Sequence, residues 1–134
     1  MNELSDSVTV LSYDNGTLVP VQYIAADTVG ARGAADIHLS PDGRHLYASL
    51  RLKHDGIATF GVDPQTGLLS YVGHTNTLGH PRNFTLTPDG RFMLVASRDG
   101  NAVQLFAVDP ESGTLTDTGR KLEVPKPVCV KFIR

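Results

Sequence analysis

Apolar and polar residues alternate with a period of two along most of the chain. Val103-Gln104-Leu105-Phe106-Ala107-Val108 and Phe92-Met93-Leu94-Val95-Ala96 are examples, and this period predicts strands whose successive side chains point to opposite faces. No segment carries a sustained helical stripe, and the spacing of prolines and glycines would break one. The pattern also recurs at long range. Ile37-His38-Leu39-Ser40-Pro41-Asp42-Gly43-Arg44 is answered by Phe84-Thr85-Leu86-Thr87-Pro88-Asp89-Gly90-Arg91, with Pro41 and Pro88 47 positions apart. Phe60-Gly61-Val62-Asp63-Pro64 is echoed by Phe106-Ala107-Val108-Asp109-Pro110 at an offset of 46, and Gly67 and Gly113 keep that offset, as do Gly73 and Gly119.

A repeat of this length matches a four-stranded β-propeller blade. The turns agree. In Pro-Asp-Gly, proline presets φ at the first corner, aspartate tolerates the second, and glycine supplies the left-handed residue. The first full blade is expected to have strands near 35–40, 45–49, 56–62 and 68–75. The second is expected near 83–87, 92–97, 102–108 and 115–121. Ahead of them, Val8–Tyr13 and Leu18–Ala26 read as the two outer strands of an earlier blade, and Val128–Ile133 as a lone inner strand. The fold class is therefore all-β, a partial propeller of half a blade, two full blades and one closing strand. The units run 1–30, 31–79, 80–124 and 125–134 within one domain.

That count does not close a ring. Open flanking sheets would expose apolar faces and unpaired edges, so the chain is expected to be the C-terminal part of a larger propeller. Alone, it should be sticky, oligomeric or poorly folded. A small self-contained β-sandwich is the alternative, but it would not require blade-length periodicity.

Composition narrows the function. Lys plus Arg total 12 against 14 for Asp plus Glu, a net charge of -2, with 40% apolar residues. Neither a basic nucleic-acid footprint nor a disordered acidic tail fits. No apolar run approaches the ~20 residues of a membrane span. The N-terminus lacks a basic region followed by an apolar stretch, so a cytoplasmic location is the default expectation. A single cysteine excludes a disulfide framework. Cys129, among Val128, Val130 and Phe132, reads as a buried inert thiol. The five histidines lack i,i+4 metal spacing, His74 with His80 is weak evidence for zinc, and neither a metal nor another cofactor is expected. The sequons at Asn15-Gly16-Thr17 and Asn83-Phe84-Thr85 read as incidental.

The stretch Arg32-Gly33-Ala34-Ala35-Asp36-Ile37-His38-Leu39-Ser40-Pro41-Asp42-Gly43-Arg44-His45-Leu46-Tyr47 resembles a signature of the seven-bladed lactonase family, the propeller-type 6-phosphogluconolactonases related to carboxymuconate cyclases. His80-Pro81-Arg82-Asn83-Phe84 and Asn101-Ala102-Val103-Gln104-Leu105-Phe106 also fit it. The resemblance covers nearly the whole chain and falls on the family's last blades. It implies metal-free hydrolysis of 6-phospho-glucono-δ-lactone to 6-phosphogluconate in the pentose phosphate route. It implies a catalytic role for Arg32, with the histidine and glutamate of the related cyclases on blades outside this chain. The chain alone should then be inactive. The alternatives are a non-catalytic propeller platform and a muconate-type cycloisomerase.

Blade geometry sorts the remaining candidates. The loops between the second and third strands of a blade, and the connections to the next blade, share one face around the channel mouth. They carry Arg32, His80, Arg82 and Lys126, with Arg51, Lys53, His54 and Asp55 from one blade and Arg98, Asp99 and Asn101 from the next. Cations therefore gather on one rim of an acidic chain, as a sugar lactone phosphate would require. Arg32 is assigned to substrate or oxyanion contact, or is a surface arginine before a strand. His80 and Arg82 are assigned to phosphate or lactone contact, His80 also as a general base, or they decorate a turn fixed by Pro81. Arg51, Arg98 and Lys126 are candidate substrate-binding residues, with the two arginines otherwise solvated strand ends. Asp36 and His38 flank Ile37 and form either a catalytic pair or a hydrogen-bonded pair holding blades together.

Overall fold

The computed structural model describes residues 1–30 and 32–133; positions 31 and 134, at the expected edges of the first full blade and the closing strand, lie outside it. Ten strands are present among these residues: β1 Ser7–Asp14, β2 Thr17–Ala25, β3 Ile37–Leu39, β4 His45–Leu50, β5 Gly56–Val62, β6 Leu69–Asn76, β7 Pro81–Leu86, β8 Phe92–Ser97, β9 Ala102–Val108 and β10 Leu115–Glu123. They form a two-stranded sheet, β1-β2, and two four-stranded sheets, β3-β4-β5-β6 and β7-β8-β9-β10. Every pairing is antiparallel and joins sequence neighbours. This is the partial propeller that the repeat predicts.

Turn chemistry sets the registers. In each first hairpin the aspartate accepts from a hydroxyl and from the arginine amide: Ser40 Oγ and Arg44 N on Asp42 Oδ1, Thr87 Oγ1 and Arg91 N on Asp89 Oδ1. Gly43 and Gly90 take φ of +73° and +70°, conformations that favour glycine. In each outer hairpin Asp63 or Asp109 caps two following amides through one oxygen.

Both faces of a blade's middle strands are buried, so they read as nearly continuous apolar runs. Val8, Ala48, Leu50, Ala58, Phe60 and Leu69 pack between the β1-β2 sheet and the first full blade. Tyr47, Ile57, Phe84, Met93, Val95, Phe106 and Leu115 fill the seam between the two full blades. Alternate residues of β4 supply the two seams, as the pleat dictates.

The chain's ends depart from expectation. Residues 128–133 form no strand, although Val130 N donates to Asn83 Oδ1 at 2.7 Å. A strand needs a ladder partner, and none of the strands among the described residues pairs with this segment. For the same reason Cys129 is exposed rather than buried. β3 is also shorter than expected, though Ala35 N and Asp36 O still bond to Ser49. Large apolar side chains stand exposed at both flanks: Leu11, Tyr13, Leu18, Val19, Val21 and Tyr23 at one, Leu122, Val128, Phe132 and Ile133 at the other.

Candidate active-site rim

The connections between blades and the β4–β5 and β8–β9 loops meet on one face. Arg51, at the end of β4, is only 5% exposed. Its Nε donates to Gly33 O at 2.7 Å, Nη2 to Glu3 Oε1 at 2.8 Å and to Ala34 O at 3.4 Å, and Nη1 lies 3.0 Å from His80 Nε2. Only one guanidinium N–H remains uncommitted. Arg51 is thus no solvated strand end; it clamps the segment before β1, the connection into β3, and the connection into β7.

His80 is equally buried, and its ring has charged neighbours on both sides. Nδ1 is 3.4 Å from Asp99 Oδ2 and 3.3 Å from Arg98 Nη2. A guanidinium only donates, and Arg51 makes the shorter of the two guanidinium contacts, so Nε2 accepts from Arg51 and the proton sits on Nδ1, towards Asp99, with Arg98 Nη2 beside it as a charge rather than a donor. Burial, then the charges of Arg98 and Arg51, pull the His80 pKa below its ordinary value and keep the ring neutral. Asp99 is drawn down to about 2, chiefly by Arg98 and also by Lys126, whose Nζ is 3.4 Å away. One line of contacts, Glu3–Arg51–His80–Asp99–Lys126, therefore crosses all three sheets.

The backbone here is unusual. His80 has φ +60°, Leu52 +78°, Asn101 +49° and Lys126 +48°. A non-glycine residue in this region costs energy and persists where its surroundings over-determine it. At His80 the two ring contacts and the hydrogen bond from Arg98 N to His80 O at 2.9 Å do so, against the extended conformation that a following proline favours. β7 then bulges between Pro81 and Asn83, which re-aims Arg82.

Arg32 and Arg82 behave differently from the clamp. Both are exposed, and neither guanidinium makes a hydrogen bond or ion pair among the described residues. Arg32 nevertheless sits on a held backbone. Gly33 N donates to Glu3 O at 2.9 Å and Ala34 N to Asp6 Oδ1 at 2.8 Å. Asp6 is buried, and desolvation raises its pKa.

Asp36 and His38 are paired at 3.1 Å, and the pair reaches the next blade. Asn83 Nδ2 donates to Asp36 Oδ2 at 2.5 Å and Phe84 N at 3.1 Å, while His38 packs edge-on to the Phe84 ring. This is the blade-holding geometry. His74 stacks on His54, with ring centroids 3.6 Å apart. Among the described residues no group of three or more His, Cys, Asp or Glu is placed to hold a metal ion, and no helix is long and apolar enough to cross a membrane. Sequence reasoning missed Glu3, because the loop that carries it has no visible repeat partner. It also missed Asn83 as a bridge, although Asn83 stands 47 positions from Asp36 and so was findable.

Two repeated four-stranded blades with a rim of arginines on one face define a segment of a β-propeller. Residues 1–132 match the family described as "Lactonase, 7-bladed beta-propeller", and the chain belongs to that family. It is 38% identical over 131 residues to a 6-phosphogluconolactonase of Formosa agariphila, covering 92% of this chain and 36% of that one. To the 6-phosphogluconolactonase of Bacillus subtilis it is 36% identical over 140 residues, covering 99% and 40%. Among solved structures, the periplasmic gluconolactonase of Pseudomonas aeruginosa superposes with a TM-score of 0.92 at 36% identity, over 98% of this chain and 38% of that one. A candidate 6-phosphogluconolactonase from Bacteroides fragilis gives 0.97 at 51% identity, over 100% and 38%. The chain thus spans about two fifths of the length of the relatives it matches.

Proposed function

We propose that this chain supplies the phosphate-receiving part of a lactone hydrolase that converts 6-phospho-glucono-δ-lactone to 6-phosphogluconate, the step that serves the oxidative pentose phosphate route. The observation that carries the reading is the split among the rim arginines. Arg51 is spent on holding the blades, whereas Arg32 and Arg82 keep free guanidinium groups on fixed backbone. Free arginine can bind phosphate bidentately.

In this reading Arg32 donates to the lactone carbonyl oxygen as water attacks and negative charge builds there. Arg82 binds the phosphate, and Lys126 and Arg98 add positive potential. A positioned oxyanion donor contributes about 3–4 kcal/mol in comparable sites. His80 is a positioning residue, since its one lone pair accepts from Arg51. Taking a proton from water would cost it that contact, so the general base belongs to another blade of the ring. Attack on the ring ester breaks the acyl C–O bond, frees the sugar hydroxyl and leaves the carboxylate.

The test is a complete ring in which this chain replaces the matching segment of the Bacillus subtilis relative. That ring should hydrolyse the lactone, and the 134-residue chain alone should not. Arg32→Ala should lower kcat/KM at least about tenfold, or about 1.4 kcal/mol. An unchanged rate removes Arg32 from the site.

A further inference from the structure

On the face of the hairpin turns, opposite the cationic rim, the seam between the two full blades opens into a cavity of about 340 Å3. Both of its walls belong to this chain. His45, at the head of β4, lines it, is 8% exposed, and has no hydrogen-bond partner for either ring nitrogen among the described residues. The repeat places Phe92 at the equivalent position, 47 residues on. A polar ring that lines the cavity has thus been set where the fold is content with a phenyl group. Gly113 makes the space for it, since a Cβ there would stand 2.5 Å from His45 Cδ2.

Of the other polar groups around the cavity, Ser40 and Asp42 are spent on each other and on Arg44, whereas three more keep capacity in reserve. Asp89 and Asp109 each spend Oδ1 on their own turn, and Oδ2 of each accepts no hydrogen bond among the described residues. Arg91 lies over the Phe92 ring at 5.9 Å with its donors uncommitted. Pro41 and Pro110 add apolar surface.

We propose that this cavity binds an uncharged polyhydroxylated molecule of monosaccharide size. Hydroxyl groups donate to the two carboxylate oxygens, and each also accepts, which suits Arg91 and an imidazole that can act either way. The proline surfaces suit the C–H face of a sugar ring. The carboxylates oppose an anionic ligand and Arg91 opposes a cationic one, so the phosphorylated substrate proposed for the rim does not fit here. This inference stands independently of that reading.

The experiment titrates the 15N-labelled complete ring that carries this chain with D-glucose, D-gluconate and D-glucosamine, following the amide signals of Glu111 and Gly113, which report this face and not the rim. Glucose should shift them saturably, with Kd in about the millimolar range, and gluconate should bind about tenfold more weakly. His45→Phe and Asp109→Asn should each weaken glucose binding about fivefold or more while the other signals keep their dispersion. Asp109 is at the surface, so its variant reports even if His45→Phe disturbs the seam. The proposal is overturned by non-saturating shifts, by gluconate or glucosamine binding more tightly than glucose, or by undiminished binding in Asp109→Asn.

Discussion

Asn83 donates its side-chain amide to the Asp36 carboxylate at 2.5 Å, and the two residues occupy the same position in consecutive repeats, 47 apart. The same step recurs once more, because Asn83 Oδ1 accepts from Val130 N, again 47 residues on. Each innermost segment therefore grips the next through one repeat position, whichever residue stands there. Asp36 also takes His38 Nε2 and Phe84 N, so this carboxylate serves as the acceptor hub of the inner ring.

Removing that hub should be expensive. Asp36→Ala leaves the Asn83 amide and the Phe84 N–H without their acceptor in a half-buried seam. The expected loss is about 2–3 kcal/mol of stability, read from denaturant unfolding. Asp36→Asn keeps an acceptor oxygen and should lose less. Equal losses would mean that the carboxylate is not the bridge.

Arg51 and Arg32 should separate stability from chemistry. Arg51→Ala leaves Gly33 O and His80 Nε2 without their donor and releases the exposed Glu3, and stranding buried acceptors of this kind costs about 1–3 kcal/mol. Arg32→Ala removes only an exposed side chain and should change the unfolding midpoint very little. A large stability loss in Arg32→Ala would contradict its assignment as a free substrate donor.

Acidification should weaken the rim. The His80 pKa lies below its unfolded value, chiefly through burial, and so does that of His74, through burial and His54. The unfolded chain binds more protons than the folded chain as pH falls through about 6.5, so stability drops from there towards the folded pKa values. The melting temperature should therefore fall between about pH 7.5 and 5. Asp6 acts in the opposite sense, since its raised pKa penalises the fold above the ordinary carboxylate value near 3.8. His80→Gln should flatten the slope; an unaltered slope would place the titration elsewhere.

Crowding at Gly113 gives a purely steric test. Its φ is +72° and a Cβ would overlap the His45 ring. Gly113→Ala should destabilise by more than 1 kcal/mol or so, through both strain and overpacking. His45→Ala in the same chain should relieve part of that loss, and strict additivity would refute the contact.

The blades themselves were legible because turn residues and alternation repeat at fixed offsets. Pro-Asp-Gly, Val-Asp-Pro and the period of two leave few alternatives for β3 to β10. The rim was legible in part. Blade geometry gathered Arg51, His80, Arg98 and Lys126 on one face, and the structure joins them in one line with Asp99. What alternation could not convey was how far each arginine is already committed. Arg51 and Arg82 look alike as letters, yet one is enclosed by three connections and the other stands on a bulge in solvent. Glu3 was illegible for a related reason: its importance comes from a contact with a residue 48 positions away, in a loop with no repeat to mark it. Cys129 misled because burial was inferred from its apolar neighbours, whereas burial depends on a neighbouring strand, and none among the described residues pairs with that segment.

The most direct measurement compares two substrates in the complete ring that carries this chain. Hydrolysis of 6-phospho-glucono-δ-lactone and of glucono-δ-lactone is followed with and without Arg82→Ala. Loss of the phosphate contact should raise KM for the phosphorylated lactone about tenfold or more and leave the unphosphorylated one nearly unchanged. Equal effects on both substrates, or none on either, would contradict the assignment of this rim to the phosphate.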